Sequence, residues 1–269
     1  MFKHILIAHD LSLEADRALR RALHLADQHR ARLTLLHVLP EAAPLGALRE
    51  DVEAELRQRL DAGDAQAPEP RIRVVAGRPA EAILACLAED GCDLLVLGAH
   101  HRAPARFAGS NLERLARDCP VPLLLATGDE PGPYGRALVA LDASRCARLA
   151  LELTYLLLPA DAELRALHVF EEDAGAAPDP ADAYWQARGA LMERRFSEER
   201  AGLPDNGPRL GLDVRRGCLP ETLLEAIAQR RTALLALGHH ARGPYAQPHP
   251  GQLAQRMLQA PPCDLLLVR

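Results

Sequence analysis

Aromatic side chains are scarce in this chain: four Phe, four Tyr and one Trp make up 3% of its 269 residues. Its core must therefore be built from Leu, Ala and Val. Positive charge is not in excess either. The formal net charge is −5 and no basic block stands out, which excludes the electrostatic footprint of a nucleic-acid binder. No apolar run reaches the ~18 residues that a membrane-spanning helix needs. The six cysteines, Cys86, Cys92, Cys119, Cys146, Cys218 and Cys263, form neither a CxxC pair nor a framework spacing. They read as reduced thiols, mostly in the core. Met1-Phe2-Lys3-His4 runs directly into a strand pattern, so no signal peptide is expected. With 48% hydrophobic and 26% charged residues, the composition is that of a globular protein, expected in the cytoplasm, with neither nucleic acid nor membrane as partner.

What the chain does have is one stretch carried twice. The first copy starts with the strand Asp93-Leu94-Leu95-Val96-Leu97 and Gly98. A loop, Gly109-Ser110, a helix and an apolar strand through Leu125 follow. The second copy has Ala233-Leu234-Leu235-Ala236-Leu237 and Gly238, then a loop, Gly251, a helix and Leu265-Leu266-Leu267. Pro120 aligns with Pro262. Self-similarity at matching depth indicates duplication. A strand that ends in Gly, loops out and re-enters at Gly before a helix can also cradle phosphate. Glycine lets the backbone approach closely, and the helix start offers free N–H groups.

The rest of the chain supports two copies of a β-α-β-α-β-α-β-α-β unit. In the first, strands are expected over 4–8, 33–38 and 71–75, with helices from Ser12, over 47–60 and over 80–88. A linker of turn residues, Gly128 to Pro133, separates units expected at 1–128 and 134–269. In the second, strands are read over 136–141 and 164–169, a mobile acidic loop over 171–180, and a long helix over 181–199 that carries Tyr184 and Trp185. Asp10 pairs with Asp142, Val38 with Val169, Gly77 with Gly217, Glu81 with Glu221 and Gly98 with Gly238. Each pair lies at a strand end or a helix start. The near-continuous apolar strands predict an α/β fold: two tandem open parallel five-stranded sheets with helices on both faces. In a 3-2-1-4-5 strand order, Asp10 and Gly98 face each other across the crevice where the order reverses, and so do Asp142 and Gly238.

These residues resemble the universal stress protein family in its tandem form. The resemblance rests on Asp10-x-Ser12, Val38, Gly98, Gly109-Ser110 and Cys119-Pro120-Val121-Pro122, then on Asp142-x-Ser144, Val169, Gly238 and Gly251. It covers nearly the whole chain. It implies an adenine-nucleotide α-hydrolase-like sheet and a role in bacterial stress tolerance. In one subgroup ATP is bound: the strand-one aspartate (Asp10, Asp142) and strand-two valine (Val38, Val169) hold the adenine and ribose side. A G-x2-G-x9-G-S/T loop, here Gly98, Gly109, Ser110 and Asn111, or Gly238 and Gly251, holds the phosphates. Both loops depart from that pattern. His101 replaces the middle glycine of the first, which is two residues short; Ala241 and Gln252 replace the middle glycine and the hydroxyl residue of the second. Single-domain relatives dimerise through their fifth strands. The expectation here is an intramolecular pseudo-dimer with 123–126 and 265–268 at its junction, and a further homodimer stays open.

Three functions remain open. One is binding of an unknown small molecule, with signalling through protein partners and no catalysis. A second is ATP binding with slow hydrolysis or phosphotransfer. A third is carriage of another small molecule or a metal, using His100-His101, His239-His240 and His249. Arg102 and Arg106 supply phosphate partners or are solvated loop charges. The aspartates hold a ribose or help Ser12 and Ser144 cap helices, and the glycines admit phosphate or turn the chain. His9, His37 and His168 flank the same crevice, where packing or hydrogen bonding at a strand end is the expected role and zinc binding or acid–base chemistry the alternative; Trp185 and Tyr184 cover the sheet or anchor a partner. No nucleophile, base and orienting carboxylate share one motif, so nothing forces an enzyme reading. Any nucleotide is expected to prefer the first half, because Pro244, Pro248 and Pro250 remove N–H donors from the second loop.

Overall fold

The computed structural model describes residues 2–61, 69–99, 110–128, 132–142, 144–171, 182–239 and 251–269, with the side chains of 182–184 left out. The first repeat runs β1 (His4–Ala8), α1 (Leu13–His29), β2 (Arg32–Leu39), α2 (Leu45–Asp61), β3 (Arg71–Ala76), α3 (Pro79–Asp90), β4 (Leu94–Gly98), α4 (Asn111–Asp118) and β5 (Leu123–Ala126). The second runs β6 (Arg136–Ala140), α5 (Arg145–Leu157), β7 (Glu163–Phe170), α6 (Asp182–Ala201), β8 (Arg209–Arg216), α7 (Leu219–Arg230), β9 (Leu234–Gly238), α8 (Gln252–Gln259) and β10 (Asp264–Val268).

Local chemistry accounts for the element ends. Ser12, Ser110 and Ser144 each accept the backbone N–H three residues on, at 3.1 Å, and so cap α1, α4 and α5. Pro79 and Pro220 open α3 and α7, where a missing N–H costs nothing. Along α1 the buried positions Ala15, Ala18, Leu19, Ala22, Leu25 and Ala26 recur at helical spacing, and that face packs on β1, β4 and β5. Only Leu56 of α2 is buried, in keeping with a charged surface helix.

The chain divides into two compact units. In the first, strands pair in the order β3-β2-β1-β4-β5, all parallel, as the 3-2-1-4-5 reading expects. In the second, β9-β6-β7-β8 are likewise parallel. Compactness departs from the repeat boundary in one respect. The first unit includes α8 and β10 through Leu267, although both come from the second repeat. β10 runs antiparallel to β5, with Leu265 opposite Leu125 and Leu267 opposite Leu123. The fifth strands therefore do meet, and β10 covers an edge of β5 that would otherwise be open.

A buried ion pair fixes β10 there. Arg21 of α1 meets Asp264 at 3.2 Å, with side chains only 7% and 2% exposed. The other Asp264 oxygen accepts the N–H groups of Thr127 and Gly128 at 2.7 and 2.8 Å, and Arg21 also donates to the Gly132 carbonyl.

Candidate functional site

The strand order reverses beyond the carboxyl ends of β1 and β4, which are adjacent, while the next links lead away on opposite sides. The chain leaves β1 at His9, whose N–H donates to the Leu36 carbonyl at 2.8 Å. The His37 ring returns the contact, its Nδ1–H donating to the His9 carbonyl at 2.7 Å. Asp10 then stands exposed, its Oδ1 accepting from the backbone N–H of Ser12 at 3.2 Å and from the Ser12 hydroxyl. Ser12 in turn caps α1, so the capping reading of Asp10 describes what one of its oxygens does.

Leu11 completes the turn in the left-handed region, with φ 66°. A branched side chain adopts that conformation only under constraint, and the constraints are visible. The Leu11 N–H donates to His9 Nδ1 at 3.0 Å, and its carbonyl accepts from Arg59 of α2 at 3.2 Å. His9 Nδ1 is thus an acceptor, so the proton sits on Nε2 and is donated to Asp16 at 3.0 Å. Asp16 also meets Arg59, at 3.4 Å, and Arg59 meets Glu55 at 2.7 Å. His9, Asp16 and Arg59 form a brace beneath Asp10 that no local motif in the sequence announces.

The His9 side chain has no exposed surface. Burial pushes its pKa below the ordinary 6.5, with Arg59 in the same direction and Asp16 and Asp10 opposing. The neutral ring is therefore favoured in the folded state. The stability it contributes is present above pH 6.5 and lost as pH falls from there toward the depressed folded value. His24, pushed down by burial and by Arg21, acts in the same sense. His9→Leu, which installs the residue type of Leu141, is expected to be less stable at pH 7. It should nevertheless lose less stability than the parent between pH 6.5 and 5. Denaturant titrations across that range test this, and parallel pH profiles would remove His9 as the source.

The second repeat builds the same turn with fewer parts. Leu141 donates to the Leu167 carbonyl at 2.8 Å, and the His168 Nδ1–H donates to the Leu141 carbonyl at 2.8 Å. Asp142 is exposed and accepts from the N–H of Ser144 at 2.8 Å. Leu141 stands where His9 does, so the ring that accepts and donates is missing. His37 and His168 play the strand-end hydrogen-bonding part expected of them.

Val38 is half-buried opposite Val75, and Val169 is buried opposite Arg215. One residue beyond Val169 the repeats diverge. Phe170 packs edge-on against His168 at 4.6 Å and lies 5.5 Å from Trp185 of α6. Arg188 covers Phe170 at 4.7 Å and Arg216 covers Trp185 at 4.6 Å. The first repeat has Leu39 at the Phe170 position, 7% exposed. Trp185 thus covers the end of β7, as a sheet-covering residue would.

Gly98 and Gly238 end β4 and β9 without positive φ, so turning the chain is not what requires glycine. The requirement is close approach. A Cβ on Gly98 would lie 2.6 Å from the Glu14 carbonyl oxygen, and one on Gly238 would lie 2.4 Å from Ala147 N. The first turn of α1 or α5 rests on the glycine backbone, and the crevice floor is this helix-on-strand contact.

Beyond β4 the structure describes the chain again from Ser110, whose hydroxyl accepts Glu113 N–H; Asn111 follows, exposed. Gly251 occupies the same place before α8 with no side-chain acceptor. Arg102, Arg106 and Gly109 lie outside the described residues, as do His100, His101, His240, His249, the three loop prolines and the acidic loop from 172 to 180. Among the described residues no group of three His, Cys, Asp or Glu side chains is arranged to hold a metal.

An open parallel sheet with an exposed aspartate at the reversal of strand order places the chain among the open-sheet α/β proteins. The sequence model of the universal stress protein family matches residues 1–127 and again 133–269, and the chain belongs to that family in tandem form. A universal stress protein encoded 3′ of a QAH/OAS sulfhydrylase in Thermus aquaticus is 34% identical over 136 residues, 46% of this chain and 98% of that protein. The crystal structure of a universal stress protein from Archaeoglobus fulgidus covers 98% of this chain and 97% of its own, with TM-score 0.71 and 19% identity. A universal stress protein solved in complex with cAMP covers 46% of this chain and 97% of its own, with TM-score 0.42 and 24% identity.

Proposed function

We propose that this chain is a stress-response protein of the cytoplasm that acts by binding a small ligand, with an adenine nucleotide such as ATP as the first candidate, and passes its state to protein partners. The repeats 1–128 and 134–269 are its two functional units, and the first is the better binder. Asp10 and Val38 take the base and ribose side. Gly98, Gly109, Ser110 and Asn111, with Arg102 and Arg106, take the phosphates. Asp142, Val169, Gly238 and Gly251 are the weaker counterparts.

The observation that carries this reading is the difference between the two aspartate turns. Asp10 is displayed at the strand-order reversal on a turn braced by His9, Asp16 and Arg59, and preorganisation of that kind lowers the entropic cost of binding. The Asp142 turn has no counterpart to His9. The α4 start also favours the first repeat, because Ser110 adds a hydroxyl donor for an anion where Gly251 before α8 has no side chain.

A thermal-shift titration with ATP on the parent, Gly109→Val and Gly251→Val tests it. At ~100 times its dissociation constant, a ligand should stabilise the folded state by about 2.7 kcal/mol. The shift is expected in the parent and in Gly251→Val, and lost in Gly109→Val. The reverse pattern would move the site to the second repeat. No shift in the parent would remove ATP as the ligand.

A further inference from the structure

A second opening in the first unit lies between α1 and α2. It is a cavity of about 330 Å³, lined by Asp16, Leu19, Arg20 and Leu23 of α1 and by Glu55, Gln58 and Arg59 of α2. That is at the small end of the range for ligand sites. Its floor is apolar, since Leu19 and Leu23 are 2% and 6% exposed. Its walls are polar and unevenly satisfied.

The acceptors are engaged. Asp16 takes His9 and Arg59, and Glu55 takes Arg59. The donors are not all engaged. Arg59 spends its two terminal nitrogens on Asp16, Glu55 and the Leu11 carbonyl, while its Nε is buried and makes no hydrogen bond among the described residues. Arg20 is exposed and forms no ion pair among the described residues. The Nε is closed to solvent, so a molecule in the cavity meets the Arg59 guanidinium through its terminal nitrogens. Two guanidinium groups with donors to spare, above a floor of two leucines, select an anion with an apolar body.

We propose that the α1–α2 cavity is a second ligand site, for a small amphipathic carboxylate. Its carboxylate accepts from Arg20 and from the terminal nitrogens of Arg59, and its hydrocarbon part lies on Leu19 and Leu23. Arg59 makes the site more than a surface pocket, because the same guanidinium holds the Leu11 carbonyl and Asp16, and Asp16 holds His9. A carboxylate that fixes Arg59 therefore fixes the left-handed turn that carries Asp10. Occupancy of the cavity and the conformation of the turn are coupled, and the coupling is reciprocal. The inference stands on the cavity and its donors and is independent of whether the crevice takes ATP.

The test uses octanoate as probe and octanol as its uncharged match, followed by ¹⁵N amide shifts of the full chain. Octanoate is expected to give one saturable isotherm at amides of α1 and α2, with the Leu11 amide following the same curve. Arg20→Gln, at an exposed position, should weaken the affinity about tenfold, the scale of one charge-assisted hydrogen bond. Octanol should bind without any dependence on Arg20. No saturable shifts, equal affinity in Arg20→Gln, or equal binding of octanol and octanoate would each overturn the site. Shifts in α1 and α2 with an unmoved Leu11 amide would overturn the coupling.

Discussion

Asp264→Ala should destabilise the protein by about 3–5 kcal/mol, the usual cost of stranding one partner of a buried ion pair. The substitution leaves the Arg21 guanidinium, 7% exposed, facing an apolar methyl. It also removes the acceptor of the Thr127 and Gly128 N–H groups and of the Thr127 hydroxyl. In a chain of this size such a loss should lower Tm by on the order of 10 °C. Asp264→Asn keeps an acceptor for the two N–H groups but not the charge, and should fall between parent and alanine. Arg21→Met combined with Asp264→Leu should recover part of the loss, because no buried charge remains, but not all of it, because the N–H groups stay unmet. Denaturant midpoints for these variants decide the matter. A loss under about 1 kcal/mol for Asp264→Ala would mean that the pair does not hold β10 in place.

The contrast between that clamp and the elements it joins shows what a sequence carries. The strands over 4–8 and 94–98 were legible because both faces of a central parallel strand are buried, so its residues form an apolar run. The capping serines were legible because a cap acts within three residues. The strand Arg209–Arg216 is not legible in the same way. As the outer strand of its unit it is only half-buried, and Arg209, Asp213, Arg215 and Arg216 mask the alternation of Leu210, Leu212 and Val214. The Asp264 clamp was out of reach for a different reason. Its partners Arg21, Thr127 and Gly128 are far away in sequence, and none is unusual in its own neighbourhood.

The site divides in the same way. Asp10, Val38 and Gly98 stood out because each recurs in the second repeat at a strand end. The brace beneath Asp10 did not, since Arg59 reads as one more charge on a surface helix and His9 has no counterpart in Leu141. The aromatic cluster at the end of β7 joins Phe170 to Trp185 and Arg216, contacts that only the folded chain assembles. Repetition therefore exposed what the two repeats share and hid what distinguishes them, and the distinction bears on which crevice is better prepared for a ligand.

Gly98→Ala is expected to be as damaging as a large core substitution, although it adds one methyl group. The new Cβ would sit 2.6 Å from the Glu14 carbonyl oxygen, 2.7 Å from the Glu14 carbonyl carbon and 2.9 Å from Ala15 N. All three are backbone atoms in the first turn of α1, so no side chain can swing aside. The helix must lift from β4, and its buried face, from Ala15 through Ala26, lifts with it. Overpacking usually costs about 1–3 kcal/mol and more where nothing can yield, so about 3 kcal/mol is expected here. Gly238→Ala should behave alike, with Ala147 N at 2.4 Å. Gly46→Ala is the control: it lies in α2 with nothing within 4 Å, and it should stabilise by roughly 0.5–1 kcal/mol. The same variants separate the two roles a glycine can have at this place. If Gly98 serves helix-on-strand packing, Gly98→Ala loses stability whether or not ATP is present, and any loss of binding follows from displacement of the Ser12–Asp10 turn. If it serves phosphate approach instead, the unliganded protein should keep its Tm and only the ATP-dependent shift should vanish. Unfolding curves of parent and variant, each with and without nucleotide, distinguish these outcomes, and an unchanged Tm in the unliganded variant would overturn the packing account.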